Sequence, residues 1–375
     1  MKKLTAAILL IGAPENNADI RYATGFSAPD PIVYLKSGRI AWVAVSMLEY
    51  ARALRTIKSA RVLCSGHLKV KPSLKGRISG HALALCRLAR VRRVAVPPGF
   101  ALGIARELEA NGIRVDVIDG VVLPGREVKS AAETGKIEAM QDAAALAMKA
   151  AARILSRAGV DRRGRLLHGG RILTSERLRM EIHRVLLGRD CMGFGTIAAG
   201  GRASSDPHEI GRGALRAGEP IVVDIFPRGL EHGYFGDLTR TFVKGDMPER
   251  VAGMIRAVLA ARKAALAAIR PGRRCAAVHA AAVAELERRG YATRRDAGRA
   301  PEGFIHGLGH GVGLEIHERP SLSAASKARL RAGQIVTVEP GLYYPDIGGV
   351  RIEDTVAVTR TGCRILRPCP LRYKV

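Results

Sequence analysis

Residues 220–243 read PIVVDIFPRGLEHGYFGDLTRTFV, and this stretch decides the fold. Two β-rich arms, Pro220 to Phe226 and Tyr234 to Val243, flank a polar connection containing glycines, the pattern of two strands joined as a hairpin. Asp224 closes the apolar run Ile221-Val222-Val223, and Asp237 opens Leu238-Thr239-Arg240-Thr241 thirteen residues later. The arrangement recurs further on: Gln334 to Glu339 and Val350 to Val358 form a second pair of arms. Glu339 follows Val336-Thr337-Val338 there, and Glu353 precedes Asp354-Thr355-Val356. Two acidic hairpins in one half of a chain point to an internal duplication. Because hairpin arms run side by side, each acid pair can face the same side of its sheet as cross-strand neighbours.

Four carboxylates set among Val and Ile cannot be buried without compensation, since isolated buried charges are strongly disfavoured. Cations are therefore expected between them. Oxygen donors suit hard or borderline divalent ions such as Mn, Co, Zn or Fe, and four carboxylates with one imidazole can hold two ions about 3.5–4 Å apart. The run His306-Gly-Leu-Gly-His310-Gly-Val-Gly313 supplies the imidazole, and the glycines beside His310 let backbone and metal approach closely. Taken singly, any of these acids reads as a turn cap or an ion-paired strand residue, and a lone His reads as structural. The ordered set Asp224, Asp237, His310, Glu339, Glu353 reads as a binuclear metal site.

Several local words carry a family likeness: Asp224-Ile-Phe-Pro227, Gly236-Asp-Leu-Thr-Arg-Thr241, His306-Gly-Leu-Gly-His310, Val338-Glu-Pro-Gly341 and Arg351-Ile-Glu-Asp354. They resemble the pita-bread metallopeptidases, prolidase (Xaa-Pro dipeptidase) and aminopeptidase P above all. Asp19-Ile-Arg-Tyr-Ala-Thr-Gly-Phe26 resembles the entry to the creatinase-like N-terminal domain of that family.

The resemblance implies an α+β protein, with a duplicated pita-bread catalytic domain over residues 127–375 preceded by a smaller α/β creatinase-like domain over 1–126. It implies that Asp224 holds one metal, that His310 and Glu339 hold the other, and that Asp237 and Glu353 bridge both. His208 corresponds to a substrate-side histidine, His306 and His317 to two further histidines facing the substrate, and Arg351 to the arginine beside the last ligand. The implied reaction is hydrolysis of Xaa-Pro bonds in small peptides with proline second, by a hydroxide bridging two divalent ions (Mn, Co or Zn). Glu339 would move the proton, and His306 or His317 would steady the oxyanion. A homodimer is implied as well. Creatinase-like hydrolysis of a non-peptide C–N bond is the alternative within enzymes. One departure stands out: the family usually has Asp-x-Gly at the first ligand and a shorter connection, where this chain has Asp224-Ile225-Phe226-Pro227.

Outward from the hairpins, Ser130-Ala-Ala-Glu133 has the form of a capping box, and Ile137, Met140, Ala144, Met148, Ala151 and Leu155 recur at helical spacing up to Gly159. The boundary between domains is expected just before this helix. Further helices are expected from about Thr174 to Gly188, from Pro248 to Ile269, and on to Arg289. Upstream of Gly125, short β-rich runs at Ile32–Leu35, Ala41–Val45, Val94–Val96 and Val115–Ile118 alternate with helical stretches, including one over about 99–110. That alternation predicts a small α/β domain with a mostly parallel or mixed sheet.

The opening Met1-Lys2-Lys3 with apolar Leu4 to Ile11 imitates a secretory signal, but no small-x-small site follows. Leu4 to Ile11 is read instead as a first buried strand, with a second strand-like segment near Tyr22. No stretch is apolar for long enough to span a bilayer, and six cysteines without a C-x-x-C pair fit a reduced cytoplasmic protein. The net charge of +27 attracts polyanions, so a non-catalytic nucleic-acid-binding homologue is the rival outside enzymes. Residues 51–106 hold no Asp or Glu and many Lys and Arg, but these are dispersed and accompanied by a single aromatic, Phe100. That composition argues against specific nucleic-acid recognition.

Overall fold

A computed structural model describes residues 6–371 and 373–375, and these divide into two compact units, 1–126 and 127–375. The expected first strand begins partly outside the described residues, at Leu4 and Thr5, and is seen as β1 (Ala7–Gly12). The segment around Tyr22, expected as strand, is a helix, α1 (Ala18–Thr24). The Asn17 side chain accepts from the Ile20 backbone N–H at its start, and Gly25 closes it at φ 65°, so end signals outweighed the local β-formers.

In the first unit β2 (Ile32–Ser37), β3 (Ile40–Val45), α2 (Met47–Thr56), β4 (Arg61–Cys64), α3 (Ile78–Leu88), β5 (Arg93–Val96), α4 (Leu102–Glu109) and β6 (Arg114–Val117) follow. The sheet order is β4-β3-β2-β1-β5-β6, parallel at β3–β4, β1–β5 and β5–β6 and antiparallel at β1–β2 and β2–β3. Alternation along the strands feeds two cores. Leu9, Val33 and Leu35 pack with Leu83, Leu85 and Leu108 on one face, while Leu10, Ile32 and Tyr34 pack with Ile20 and Ala53 on the other.

The second unit opens with α5 (Ala131–Arg157), whose capping box forms as the sequence indicates: Ser130 and Glu133 satisfy each other's backbone N–H groups. A small sheet of β7 (Gly159–Val160), β8 (Leu166–His168) and β9 (Arg171–Ile172) leads to α6 (Ser175–Leu187), capped by Thr174. Then come β10 (Cys191–Gly193), β11 (Ile197–Gly200), β12 (Pro220–Ile225), β13 (Pro227–Gly229) and β14 (Leu238–Val243). Helices α7 (Glu249–Ala268) and α8 (Cys275–Arg288) begin the second repeat. It continues through β15 (Gly309–Gly311), β16 (Glu318–Leu322), β17 (Ile335–Val338), β18 (Gly341–Tyr344), β19 (Gly348–Arg351), β20 (Asp354–Val358) and β21 (Cys363–Ile365).

Two helix pairs back two sheets. Met148, Leu155, Leu178 and Ile182 of α5 and α6 pack on Ile221, Val223 and Phe242. Val258, Ala261, Val278 and Ala282 of α7 and α8 pack on Val336, Val338 and Val356. This repeated helix-pair-on-sheet arrangement is the duplicated pita-bread architecture. Among the described residues, no helix is long and apolar enough to cross a membrane.

Candidate metal centre

The two acidic hairpins form, and their acids lie where the strands end. In β11-β12-β14, Asp224 pairs with Ile197 on one side and Thr239 on the other. Asp237 lies two residues before Thr239, so it shares that face one step further along. The arm expected from Tyr234 becomes strand only at Leu238. Gly236 abuts α5, where a Cβ would lie 2.7 Å from the Met140 carbonyl carbon, and Phe235 N–H donates to Gly313 across the unit. In the other sheet β17 and β20 pair through Val338↔Asp354, which sets Glu339 beside Glu353 at the next position. Glu353 interrupts the expected arm between β19 and β20, and its N–H donates to Thr239 carbonyl O at 3.1 Å. The Thr355 hydroxyl and the Gln141 amide both donate to Asp237 carbonyl O, at 2.9 and 2.8 Å. These cross-links join the hairpins at the acid ends.

The five proposed ligands converge on one cavity of about 890 Å³, whose lining includes Asp224, Asp237, His310, Glu339, Glu353, His208, His306, His317 and Arg351. One ligand atom each from Asp237, His310 and Glu353 lie within 4.8 Å of one another. His310 Nε2 is 3.2 Å from Glu339 Oε1 and 3.7 Å from Asp237 Oδ2. The other ring nitrogen, Nδ1, faces Gly311 carbonyl O at 3.1 Å. A carbonyl can only accept, so Nδ1 carries a proton and Nε2 is the atom aimed at the acids, the orientation a metal-ligating imidazole needs. Gly309 makes this possible, because a Cβ there would sit 2.2 Å from Thr337 carbonyl O. The Thr337 hydroxyl accepts from His310 N–H at 3.0 Å and donates to Glu339 Oε1 at 3.1 Å. The Thr239 hydroxyl donates to Glu353 Oε2 at 2.7 Å.

Crowding of like charges shows in the acids themselves. Burial, then the charges of Glu353, Asp224 and Glu339, push the Asp237 carboxyl well above the usual range. Burial, then Glu339 and Asp224, do the same to Glu353. Burial also works to raise Glu339, but the hydrogen bond and charge of His310 outweigh it and hold Glu339 low. Among the described residues Asp224 Oδ1 is buried with no hydrogen-bond partner, while Oδ2 accepts from Arg351 Nη2 at 2.8 Å. An orphaned buried carboxylate oxygen, two acids driven toward protonation by their neighbours, and an imidazole Nε2 aimed among them form a donor set that divalent cations complete.

Arg351 lines the cavity but is 4% exposed and committed to the protein. Besides Asp224, it donates to Tyr343 Oη at 2.9 Å, Pro207 carbonyl O at 3.3 Å and Thr239 Oγ1 at 3.4 Å. In this structure the Arg351 guanidinium holds Asp224 and Tyr343 at the edge of the cavity. His306 is occupied too. Its Nδ1 donates to Gly307 carbonyl O at 2.7 Å, and Nε2 lies 2.9 Å from Tyr343 Oη, which must donate to it. Burial first, against the opposing charge of Glu339, keeps His306 below the ordinary imidazole pKa. His317 has no hydrogen-bond partner among the described residues and meets His310 edge-on, ring centres 4.3 Å apart. Of the two histidines expected to face an oxyanion, His317 is the one with a nitrogen to give. His208 also lines the cavity.

Three supporting groups were missed in the sequence. Tyr343 is fully buried, and burial pushes its phenol up to about 12, so it remains protonated to donate. It nests against Gly341 and Gly349, where a Cβ would come 2.4 Å from its hydroxyl oxygen and 2.9 Å from its ring; two glycines around Leu-Tyr-Tyr were the available signal. The Lys129–Glu318 pair is almost fully buried at 2.7 Å. Glu318 also accepts from the Leu314 and Glu315 N–H groups at 3.0 and 3.2 Å, tying down the turn that carries His317. Lys129 and Glu318 lie far apart in the chain, and no local pattern links them.

Residues 138–360 match the model of metallopeptidase family M24. The chain belongs to metallopeptidase family M24. All five converging ligand candidates, with His208, His306, His317 and Arg351, fall inside the matched stretch. An M24 relative named Xaa-Pro dipeptidase from Pyrococcus horikoshii is 31% identical over 282 residues, covering 74% of each chain. Another of that name from Pyrococcus furiosus is 38% identical over 174 residues, and that alignment covers 46% of this chain and about half, 47%, of the relative. The solved prolidase from Pyrococcus furiosus superposes with a TM-score of 0.80 at 25% identity, covering 97% of this chain and 96% of that one. The family is one of metallopeptidases, in keeping with divalent metal ions at the convergent acids.

Proposed function

We propose that this chain is a dinuclear-metal exopeptidase that hydrolyses Xaa-Pro bonds in small peptides. The observation that carries this reading is the meeting of Asp224, Asp237, His310, Glu339 and Glu353 in one cavity, with a buried Asp224 oxygen left without a partner. The relatives' names supply the substrate class. Asp224 would hold one ion, His310 and Glu339 the other, and Asp237 and Glu353 both. Bound there, two divalent ions would acidify a water toward neutral pH and polarise the scissile carbonyl.

The chain's own groups do the rest. Glu339 Oε1 is engaged by Thr337 and His310, while Oε2 has no hydrogen-bond partner among the described residues. Oε2 is therefore the atom placed to take the water's proton and pass it to the leaving prolyl nitrogen. Water's hydroxyl goes to the acyl carbon and its proton to that nitrogen, so the C–N bond breaks with the balance closed. His317 donates to the carbonyl oxygen as charge grows on it. His306, held by Tyr343 and Gly307, shapes the wall in this state, and Arg351 keeps Asp224 in place.

We also assign residues 1–126 as a creatinase-like N-terminal domain and 127–375 as the catalytic domain, consistent with the two compact units. Six cysteines without a disulfide support a reducing, cytoplasmic setting. A homodimer follows from the family likeness and is read by light scattering. Among Mn, Co and Zn, an oxygen-rich site discriminates poorly, so supply decides.

The test is a panel on stripped protein reloaded separately with Mn, Co and Zn: Xaa-Pro dipeptides, longer Xaa-Pro peptides and creatine. Metal-dependent release of the residue before proline is expected. Hydrolysis of creatine with no Xaa-Pro cleavage would move the chain to the creatinase-like alternative.

A further inference from the structure

We propose that Phe226 sets the specificity of this site for the residue on the amino side of the scissile bond, favouring a bulky apolar side chain there. The proposal rests on the Xaa-Pro hydrolase reading above and adds the substrate class.

The register places Phe226 at the reaction centre. Ile197, Asp224 and Thr239 form one cross-strand row. Side chains two residues apart on a strand share a face, so the next row on that face holds Gly195, Phe226 and Asp237. Ile197, Asp224, Gly195, Phe226 and Asp237 all line the same cavity. The two rows alternate acid with apolar surface. Phe226 is half-buried, and its ring lies over Gly195, where a Cβ would come within 3.2 Å of the ring Cζ. A side chain at 195 would displace the ring, and Gly195, at φ 68°, accommodates it. Ile210, on the same cavity, is 38% exposed. Phe226, Ile197 and Ile210 thus make an apolar wall directly beside the carboxylates.

The substrate's ends decide what meets that wall. In the hydrolase reading the substrate's free amino end lies near the ions that Asp224 would help to hold. The side chain of the first residue branches from the same carbon as that amine, so it comes to rest within one side-chain length of Asp224. The neighbouring position on that face is Phe226. Where the resembled motif has Gly two residues after the first ligand, this chain has a phenyl ring.

The experiment compares Leu-Pro with Gly-Pro on metal-loaded wild type and Phe226→Ala, with metal content measured on both. The ratio of kcat/KM for Leu-Pro over Gly-Pro is expected to fall about tenfold in the variant, the usual effect of losing part of an apolar subsite. If the alanine variant does not fold, Phe226→Leu carries the same test with a fall of about two- to threefold. An unchanged ratio with metal retained overturns the proposal. Should wild type cleave no Xaa-Pro peptide, the hydrolase reading fails by itself. Phe226 is then judged by calorimetry, from the affinity of Leu-Pro relative to Gly-Pro in the same two proteins, and equal ratios overturn it.

Discussion

Replacing Asp237 by Asn keeps the shape of the side chain and removes one negative charge, so its effect on stability should reverse sign when metal is added. Ligand atoms of Asp237 and Glu353 lie within 4.8 Å of each other. Two unit charges at that distance repel by about 3.5 kcal/mol at an effective dielectric of about 20. Burial and the neighbouring acids raise the Asp237 pKa, so only part of that repulsion is expressed near neutral pH. For a carboxyl raised on folding, the favourable contribution is complete below the unfolded pKa, about 3.9, and is lost as pH rises toward the folded value. The stripped wild type at pH 7.5 is therefore on the unfavourable side. Asp237→Asn should stabilise the stripped protein by about 1–3 kcal/mol, roughly 2–4 °C in Tm per kcal/mol for a unit of this size. The gain should shrink as pH falls toward about 4, where the native acid is protonated anyway.

Metal turns the order round. Wild type should gain about 2.7 kcal/mol at a free ion concentration 100 times Kd, and the variant little. Scanning calorimetry of both proteins, stripped and loaded, at two pH values reads all four quantities. A stripped variant less stable than stripped wild type, or one stabilised equally by metal, would refute the reasoning.

Tyr343→Phe removes the hydroxyl that donates to His306 and accepts from Arg351. It should cost about 1–3 kcal/mol in a denaturant titration and lower kcat, and a variant matching wild type in both contradicts the network. Gly309→Ala places a Cβ 2.2 Å from Thr337 carbonyl O. It should push β15 from β17, lower Tm and weaken metal binding by moving His310; unchanged metal affinity in calorimetric titration speaks against that role for the glycine.

Much of the centre was legible because metal chemistry writes itself into local sequence. An acid at the end of an apolar strand, repeated in two hairpins with a glycine-flanked His between them, has few other physical explanations. The helices α5 and α6 were equally readable from Ser130 and Thr174, whose side chains cap them. What was not legible depended on distant parts of the chain. The bonds of Arg351 could not be read from its place beside Glu353, because its partners Asp224, Pro207 and Tyr343 come from three separate segments. His306 carried the same motif signal as before; only the approach of Tyr343 shows both its nitrogens engaged. The strand arms were drawn too long for a related reason, since Gly236 packs on α5 and Glu353 N–H turns to Thr239, and neither contact is local. At Tyr22 a side-chain cap from Asn17 prevailed over β-propensity.

The central claim is a pair of divalent ions shared by Asp237 and Glu353, and elemental analysis after loading and gel filtration tests it most directly. Wild type should carry two ions per chain, and Glu353→Gln fewer than one. Wild type without bound metal, or a Glu353→Gln protein that keeps both ions, would contradict the account.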